Sequence, residues 1–194
     1  VVFRGFTDAP ELAVRLFDED EAPLGTHPMR PLGAGVFEVF IAGAGPGQLY
    51  KLVVEGRELP DPYARSLPRG VHGPAAVVAA LAPLQGPRRP VRLDGGAVLD
   101  ELHVGTFTAE GTFRSAMERL PALAQLGVTA VELLPVAAFP GQRGWGYDGV
   151  ALYAPFAPYG SLDDLRAFIE AAHALGLGVL LDVVYNHLGP DGAY

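Results

Sequence analysis
The stretch Gly178-Val179-Leu180-Leu181-Asp182-Val183-Val184-Tyr185-Asn186-His187 decides the fold. Val179 to Val184 is apolar at every position but one, which predicts a parallel strand buried on both faces. The exception, Asp182, is costly to bury unless it is hydrogen-bonded or paired. Tyr185, Asn186 and His187 then arrive together at the strand's C-terminal end, where open α/β sheets and (β/α) barrels bind ligands. Read without any further context, Asp182 equally suits a cap on loop amides, with Asn186 and His187 in an ordinary turn.

Two helical stripes precede this strand. Thr112 is placed to cap a helix carrying Phe113, Ala116, Met117, Leu120 and Leu123 at helical spacing, with Pro121 kinking or restarting it and Gly127 ending it. Ser161-Leu162-Asp163-Asp164 is a capping box with Asp in place of Glu, followed by Leu165, Phe168, Ile169, Ala172 and Leu175 and stopped by Gly176. With strands over Ala97 to Val104 and Val128 to Leu134, the order is β-α-β-α-β, which demands a parallel sheet with right-handed crossovers. Each helix returns to its strand through little more than one glycine. The strand-to-helix excursion Pro135 to Gly160 is far longer than the roughly 2–6 residues usual there. Long loops on one face mark that face as the working one. This loop holds Gly144-Trp145-Gly146-Tyr147-Asp148-Gly149, whose aromatic rings beside a carboxylate suit sugars. The alternative is that Trp145 and Tyr147 merely anchor the loop.

Upstream, residues 1 to about 80 read as all-β. Apolar runs at Leu12 to Phe17, Val36 to Ile41 and Leu49 to Val54 alternate with Pro and Gly clusters, which suggests a β-sandwich. Val36–Ile41 and Tyr50–Glu55, bracketing Gly43 to Gly47, predict a hairpin. In the irregular stretch from Leu59 to Pro74, Asp61 and Arg65 are placed to pair and His72 to contact a sugar, or the segment simply crosses between domains. Gly86-Pro87-Arg88-Arg89-Pro90 is the linker candidate. The domains expected are therefore a sandwich over 1–85, a linker over 86–96 and an α/β unit over 97–194.

Composition narrows the function. The 194 residues are 49% hydrophobic and 19% charged, as a packed globular chain requires. A net charge of −8, with Lys51 the single lysine, argues against nucleic acid as a partner. The absence of cysteine excludes a disulfide-linked oligomer and thiolate metal sites, and fits a reducing, cytoplasmic location. The apolar run Ala75 to Leu84 is too short to cross a membrane.

Asp182-Val183-Val184-Tyr185-Asn186-His187 resembles the first signature motif of family 13 glycoside hydrolases, the α-amylase superfamily, at the end of the third barrel strand. Gly146-Tyr147-Asp148 resembles the loop after the second strand. Glu101-Leu102-His103-Val104-Gly105-Thr106-Phe107-Thr108 resembles the first strand of the branching and trehalohydrolase group. Gln142 to Gly149, Asn186 to Pro190, and Asp61 to Arg65 with Gly70 to Pro74 point to the trehalohydrolase branch.

The resemblance implies an immunoglobulin-like N-terminal β-sandwich followed by the first three strands of a TIM (β/α)8 barrel, truncated here, since three strands cannot close an eight-stranded barrel. It implies a malto-oligosaccharide substrate, malto-oligosyltrehalose, cleaved at the α-1,4 bond beside its terminal trehalose. Tyr147 would stack on the glucose at the cleavage subsite, His187 would hydrogen-bond that sugar, and Asp182 would order the network beneath, with Trp145 beside them and Asn186 and Asp148 in support. Asn186 matches a calcium-ligand position in many α-amylases, but the about 6–8 oxygen ligands calcium needs are not assembled by the sequence, so no metal and no cofactor is expected. The two carboxylates of the retaining mechanism would lie beyond Tyr194. No catalytic residue is therefore assigned in this chain, and the 194 residues alone are expected to be inactive. Debranching and branching enzymes of the superfamily, and a non-catalytic glucan-binding fragment, are the alternatives. Tyr185-Asn186-His187 disfavours branching.

Overall fold
The computed structural model describes residues 1–86 and 95–192. The first part is built from β1 (Val2–Phe6), β2 (Ala13–Phe17), β3 (Pro23–Pro28), β4 (Arg30–Gly33), β5 (Val36–Phe40), β6 (Leu49–Val54), β7 (Arg57–Leu59) and β8 (Ala75–Ala76). They form two antiparallel sheets, one ordered β1-β5-β4 and one ordered β3-β2-β6-β7 with β8 on β6. Phe3 and Phe37 from the first sheet meet Val14, Leu16 and Tyr50 from the second in one apolar core. Burying each such side chain contributes about 1.5–3 kcal/mol. Ala138, Val150, Ala151 and Ala154, from the long excursion downstream, enter the same core.

The hairpin predicted between Val36–Ile41 and Tyr50–Glu55 does not form. β5 pairs with β1 and β4, whereas β6 pairs with β2 and β7, so the glycine-rich segment carries the chain from one sheet to the other. Ile41 is buried at the crossing, and Gln48 closes it by donating to the Phe17 and Leu49 carbonyls. The tight turn of β6 is the next one. Glu55 and Gly56, at φ 50° and 76°, link Val54 directly to its partner Arg57, the two-residue left-handed turn that matches strand twist. Asp61 also departs from expectation. It accepts from the Tyr50 hydroxyl at 2.7 Å and the Tyr63 amide at 2.9 Å rather than pairing with Arg65.

The second part runs β9 (Leu99–Leu102), α1 (Val104–Phe107), α2 (Phe113–Met117), α3 (Leu120–Leu126), β10 (Ala130–Leu133), β11 (Ala137–Ala138), β12 (Ala151–Pro155), α4 (Leu162–Ala174) and β13 (Gly178–Leu181). β13, β10 and β9 form a parallel sheet in that order. Both predicted caps are in place: the Thr112 and Ser161 hydroxyls accept from the Ser115 and Asp164 amides. Pro121 restarts the helix at its first turn, and Gly127 ends it at φ 90°. Leu102, Val131 and Leu133 pack under Phe113, Leu120 and Phe168. The alternation of side chains then sends Glu101 and Glu132, which are in register, to the opposite face.

The strand read from Val179 to Val184 ends at Leu181 and is not buried on both faces; Leu181 and Val183 are exposed. β13 is the outer strand of its sheet, with β10 on one side only. An apolar run specifies a strand, but burial comes from its neighbours. Residues 87–94, most of the predicted linker, lie outside the described residues. Among the described residues, no helix is long and apolar enough to cross a membrane.

Candidate active-site face
The site is assembled at the C-terminal ends of the parallel strands. The excursion after β10 is closed at its base by β11 pairing with β12 and by Phe139 stacked on Phe156 at 3.8 Å. Its tip therefore hangs as a compact loop over the strand ends. Gly146 makes the tip possible. Its φ is 93°, and a Cβ there would lie 2.0 Å from the Pro135 carbonyl oxygen, so only glycine fits both the conformation and the space.

Three predicted residues converge. Asp182, one position past β13, continues the ladder by donating its amide to the Leu133 carbonyl at 2.9 Å. Its Oδ2 accepts the Tyr147 phenolic proton at 2.8 Å. His187 Nε2 lies 3.0 Å from the Tyr147 carbonyl oxygen. A carbonyl only accepts, so Nε2 carries the proton in this contact, and among the described residues Nδ1 takes no hydrogen-bond partner. Gly189 then donates to the Gly149 carbonyl at 3.1 Å, and a Cβ on Gly189 would sit 2.1 Å from the Asp148 carbonyl oxygen. The segment after β13 thus clasps the loop after β10 along its backbone.

The electrostatics follow. The hydrogen bond to Asp182 pushes the Tyr147 phenol above its ordinary range, aided by desolvation and by the negative charges of Asp182, Glu101 and Glu132. Tyr147 is therefore a neutral, oriented aromatic ring, 37% exposed. Trp145 is 78% exposed, so its indole packs little against the loop that carries it. Asn186 and Asp148 are exposed, and among the described residues neither side chain takes a hydrogen-bond partner. Among those residues, no three acidic or histidine side chains gather as a metal site.

Three contacts escaped the sequence reading. His72 pairs with Asp191 at 3.0 Å, tying the first part of the chain to the segment after β13 rather than pointing at a free ligand position. Glu101 and Glu132 bring two negative charges near enough to raise the Tyr147 phenol. His103, just past β9, reaches the Gly144 carbonyl of the loop. The signal for His103 is its place: it is a polar residue immediately after a strand, β9.

Aromatic and acidic side chains thus meet at the C-terminal ends of a parallel sheet, held by His187 and Gly189 of the segment after β13. The catalytic-domain model of the α-amylase family matches residues 59–194, and the chain belongs to that family. Its similarity to a malto-oligosyltrehalose trehalohydrolase of Deinococcus radiodurans is 55% identity over 87% of this chain and 28% of that protein. The chain thus spans under a third of the length of that relative. A crystal structure of a Salmonella typhimurium protein assigned as an α amylase superposes with TM-score 0.90 at 44% identity, over 100% of this chain and 32% of that one. A pullulanase from Anoxybacillus sp. LM18-11, solved with maltotetraose, superposes with TM-score 0.79 at 28% identity, over 96% of this chain and 33% of that one.

Proposed function
We propose that the chain is the N-terminal part of a glycoside hydrolase that cleaves the α-1,4 bond next to the terminal trehalose of malto-oligosyltrehalose. In this reading residues 1–85 are an immunoglobulin-like sandwich and residues 97–194 open a (β/α)8 barrel. The observation that carries it is the strand-end cluster: an exposed Trp145 and a Tyr147 locked by Asp182 and His187. Tyr147 spends its hydroxyl on Asp182 and so offers its ring to the C–H face of a glucose. His187 keeps Nδ1 for a sugar hydroxyl. The 55% identity to a trehalohydrolase supports this substrate over others of the family.

The bond-breaking groups of this reading lie in the remainder of the parent protein. A carboxylate nucleophile would displace the leaving chain to form a glycosyl-enzyme, and an acid/base would protonate the leaving oxygen and then activate water. The residues described here bind and orient. Asp148, Asp182 and Asp191 are given no part in bond cleavage, since Asp182 and Asp191 already hold Tyr147 and His72.

The test is to incubate the full-length protein with malto-oligosyltrehalose and with pullulan, and to separate the products by chromatography. Free trehalose from the first, with little from the second, is the expected result. Release of linear chains from pullulan without trehalose would replace this reading with a debranching enzyme, the activity named for the Anoxybacillus relative.

A further inference from the structure
His103 opens α1, and its carbonyl accepts the Thr106 and Phe107 amides, so its backbone is fixed at the end of β9. The ring is half-buried and both nitrogens are engaged. Nε2 lies 2.9 Å from the Gly144 carbonyl oxygen and 3.1 Å from the Tyr159 hydroxyl, and Nδ1 lies 3.2 Å from the Thr106 hydroxyl. The carbonyl can only accept, so Nε2 carries the proton in its contact with Gly144.

Glycines make this contact possible on both sides. A Cβ on Gly105 would be 2.9 Å from both the His103 and Tyr159 rings, and one on Gly144 would be 2.8 Å from the Phe139 ring. The peptide before Trp145 is thus held between Phe139 and His103, from the first strand. The peptide after it is held by Pro135, and Tyr147 by Asp182 and His187. Trp145 itself is 78% exposed. Its position is set by its neighbours' backbones, and on the N-terminal side, among the described residues, the hydrogen bond doing so comes from His103.

Building on the proposed function, we infer that His103 is a positioning residue for glucan binding: its Nε2–H fixes Gly144 and thereby aims the Trp145 indole at the sugar. It touches no substrate and acts through Trp145.

The full-length protein is compared as wild type, His103→Ala, His103→Gln and His103→Asn, each with and without Trp145→Ala. KM is measured on malto-oligosyltrehalose and Kd on maltohexaose by calorimetry. Losing the bond should raise KM and Kd about fivefold, the size of one neutral hydrogen bond, with kcat changed less than about twofold. Gln carries an amide where Nε2–H was and should restore binding; Asn should not. With Trp145→Ala present, His103→Gln and His103→Asn should become indistinguishable. Equal effects of the His103 changes in both backgrounds, or a loss in kcat with KM unchanged, would overturn the proposal. If His103→Ala does not fold, the Gln and Asn variants give the same cycle. Coupling in the maltohexaose Kd without any trehalose release would uphold the positioning role and overturn only the choice of substrate.

Discussion
Tyr147 and Asp182 are joined by a 2.8 Å hydrogen bond across 35 positions of sequence. One comes from the loop after β10 and the other from the end of β13, so the bond exists only when the sheet has brought the two strand ends together. It divides the labour within Tyr147: the hydroxyl serves structure, and the ring face is left for a ligand. Two variants separate these roles. Tyr147→Ala removes both, and KM for malto-oligosaccharide should rise about tenfold or more, equal to ~1.4 kcal/mol of binding. Tyr147→Phe keeps the ring and loses the bond, and should cost about two- to fivefold in KM. Steady-state kinetics on the full-length protein decide the matter. Equal losses in the two variants would mean that the bond to Asp182, not contact with the ring face, carries the effect on binding.

The clasp around this loop depends on two glycines whose absent side chains leave room for backbone oxygens. Gly146→Ala would put a Cβ 2.0 Å from the Pro135 oxygen at φ 93°, and Gly189→Ala would put one 2.1 Å from the Asp148 oxygen. Each substitution should destabilise the fold by about 2 kcal/mol or more, because backbone on both sides must move. Gly141→Ala is the control in the same loop: its φ is 89°, but no atom lies within 4 Å of the new Cβ, so it should cost about 1 kcal/mol of strain alone. Thermal melts rank the three. A melt of Gly146→Ala no lower than that of Gly141→Ala would show the loop is not packed as described.

Much of this arrangement is legible in the residues, and what is not has a physical reason. The glycine and proline positions at Pro121 and Gly127, and the Thr112 and Ser161 caps, act within one helical turn, so their signals are local and they read true. Strand partners are not local. Val36–Ile41 and Leu49–Val54 were recognisable as strands, yet which edges meet depends on the whole set of strands, and the tight turn was Glu55-Gly56, a pair without the usual Asn-Gly signature. The burial of Val179 to Val184 is not legible for the same reason, since apolarity records a strand's preference and not its neighbours. In the candidate site, Asp182 and His187 are legible from their place at a strand end, and Tyr147 from the long glycine-rich loop that holds it beside a carboxylate. The place of His103 just past a strand is legible, but its partner is not: the bond to Gly144 spans 41 positions and ends on a backbone atom, whose position residue type does not record.

Asp164 gives a prediction on the acid side. Its carboxylate accepts the Ser161 amide, pairs with Arg114 of α2 and bonds the Ser161 hydroxyl, and these contacts hold its pKa below the usual carboxylate range. A carboxyl depressed in the folded state stabilises above its unfolded pKa, near 3.9, and that contribution is lost as pH falls through the folded value. Asp164→Asn should lower stability by about 1 kcal/mol at neutral pH, the usual size of a lost cap. The gap from wild type should close as pH is taken below the carboxylate range. Melts at neutral and acid pH test this. A gap that stays constant to low pH would mean the charge on Asp164 plays no part in the cap.

The alkaline side carries the opposite sign. Desolvation by burial, then the charge of Asp61 and the hydrogen bond to it, push the Tyr50 phenol far up, and the bond to Asp182 with the nearby carboxylates raises Tyr147. A phenol raised in the folded state binds its proton more tightly there than in the unfolded chain, whose value is about 10. Its stabilisation is complete below about pH 10 and is lost as pH rises through the folded value. Ultraviolet difference titration of wild type against Tyr147→Phe isolates the single residue. The ionisation missing from the variant should lie above the ordinary tyrosine range while circular dichroism still reports a folded chain. If the missing step falls at about pH 10, as for a free tyrosine, Tyr147 does not donate to a charged Asp182 in solution, and the oriented ring on which glucan binding is argued would lose its anchor.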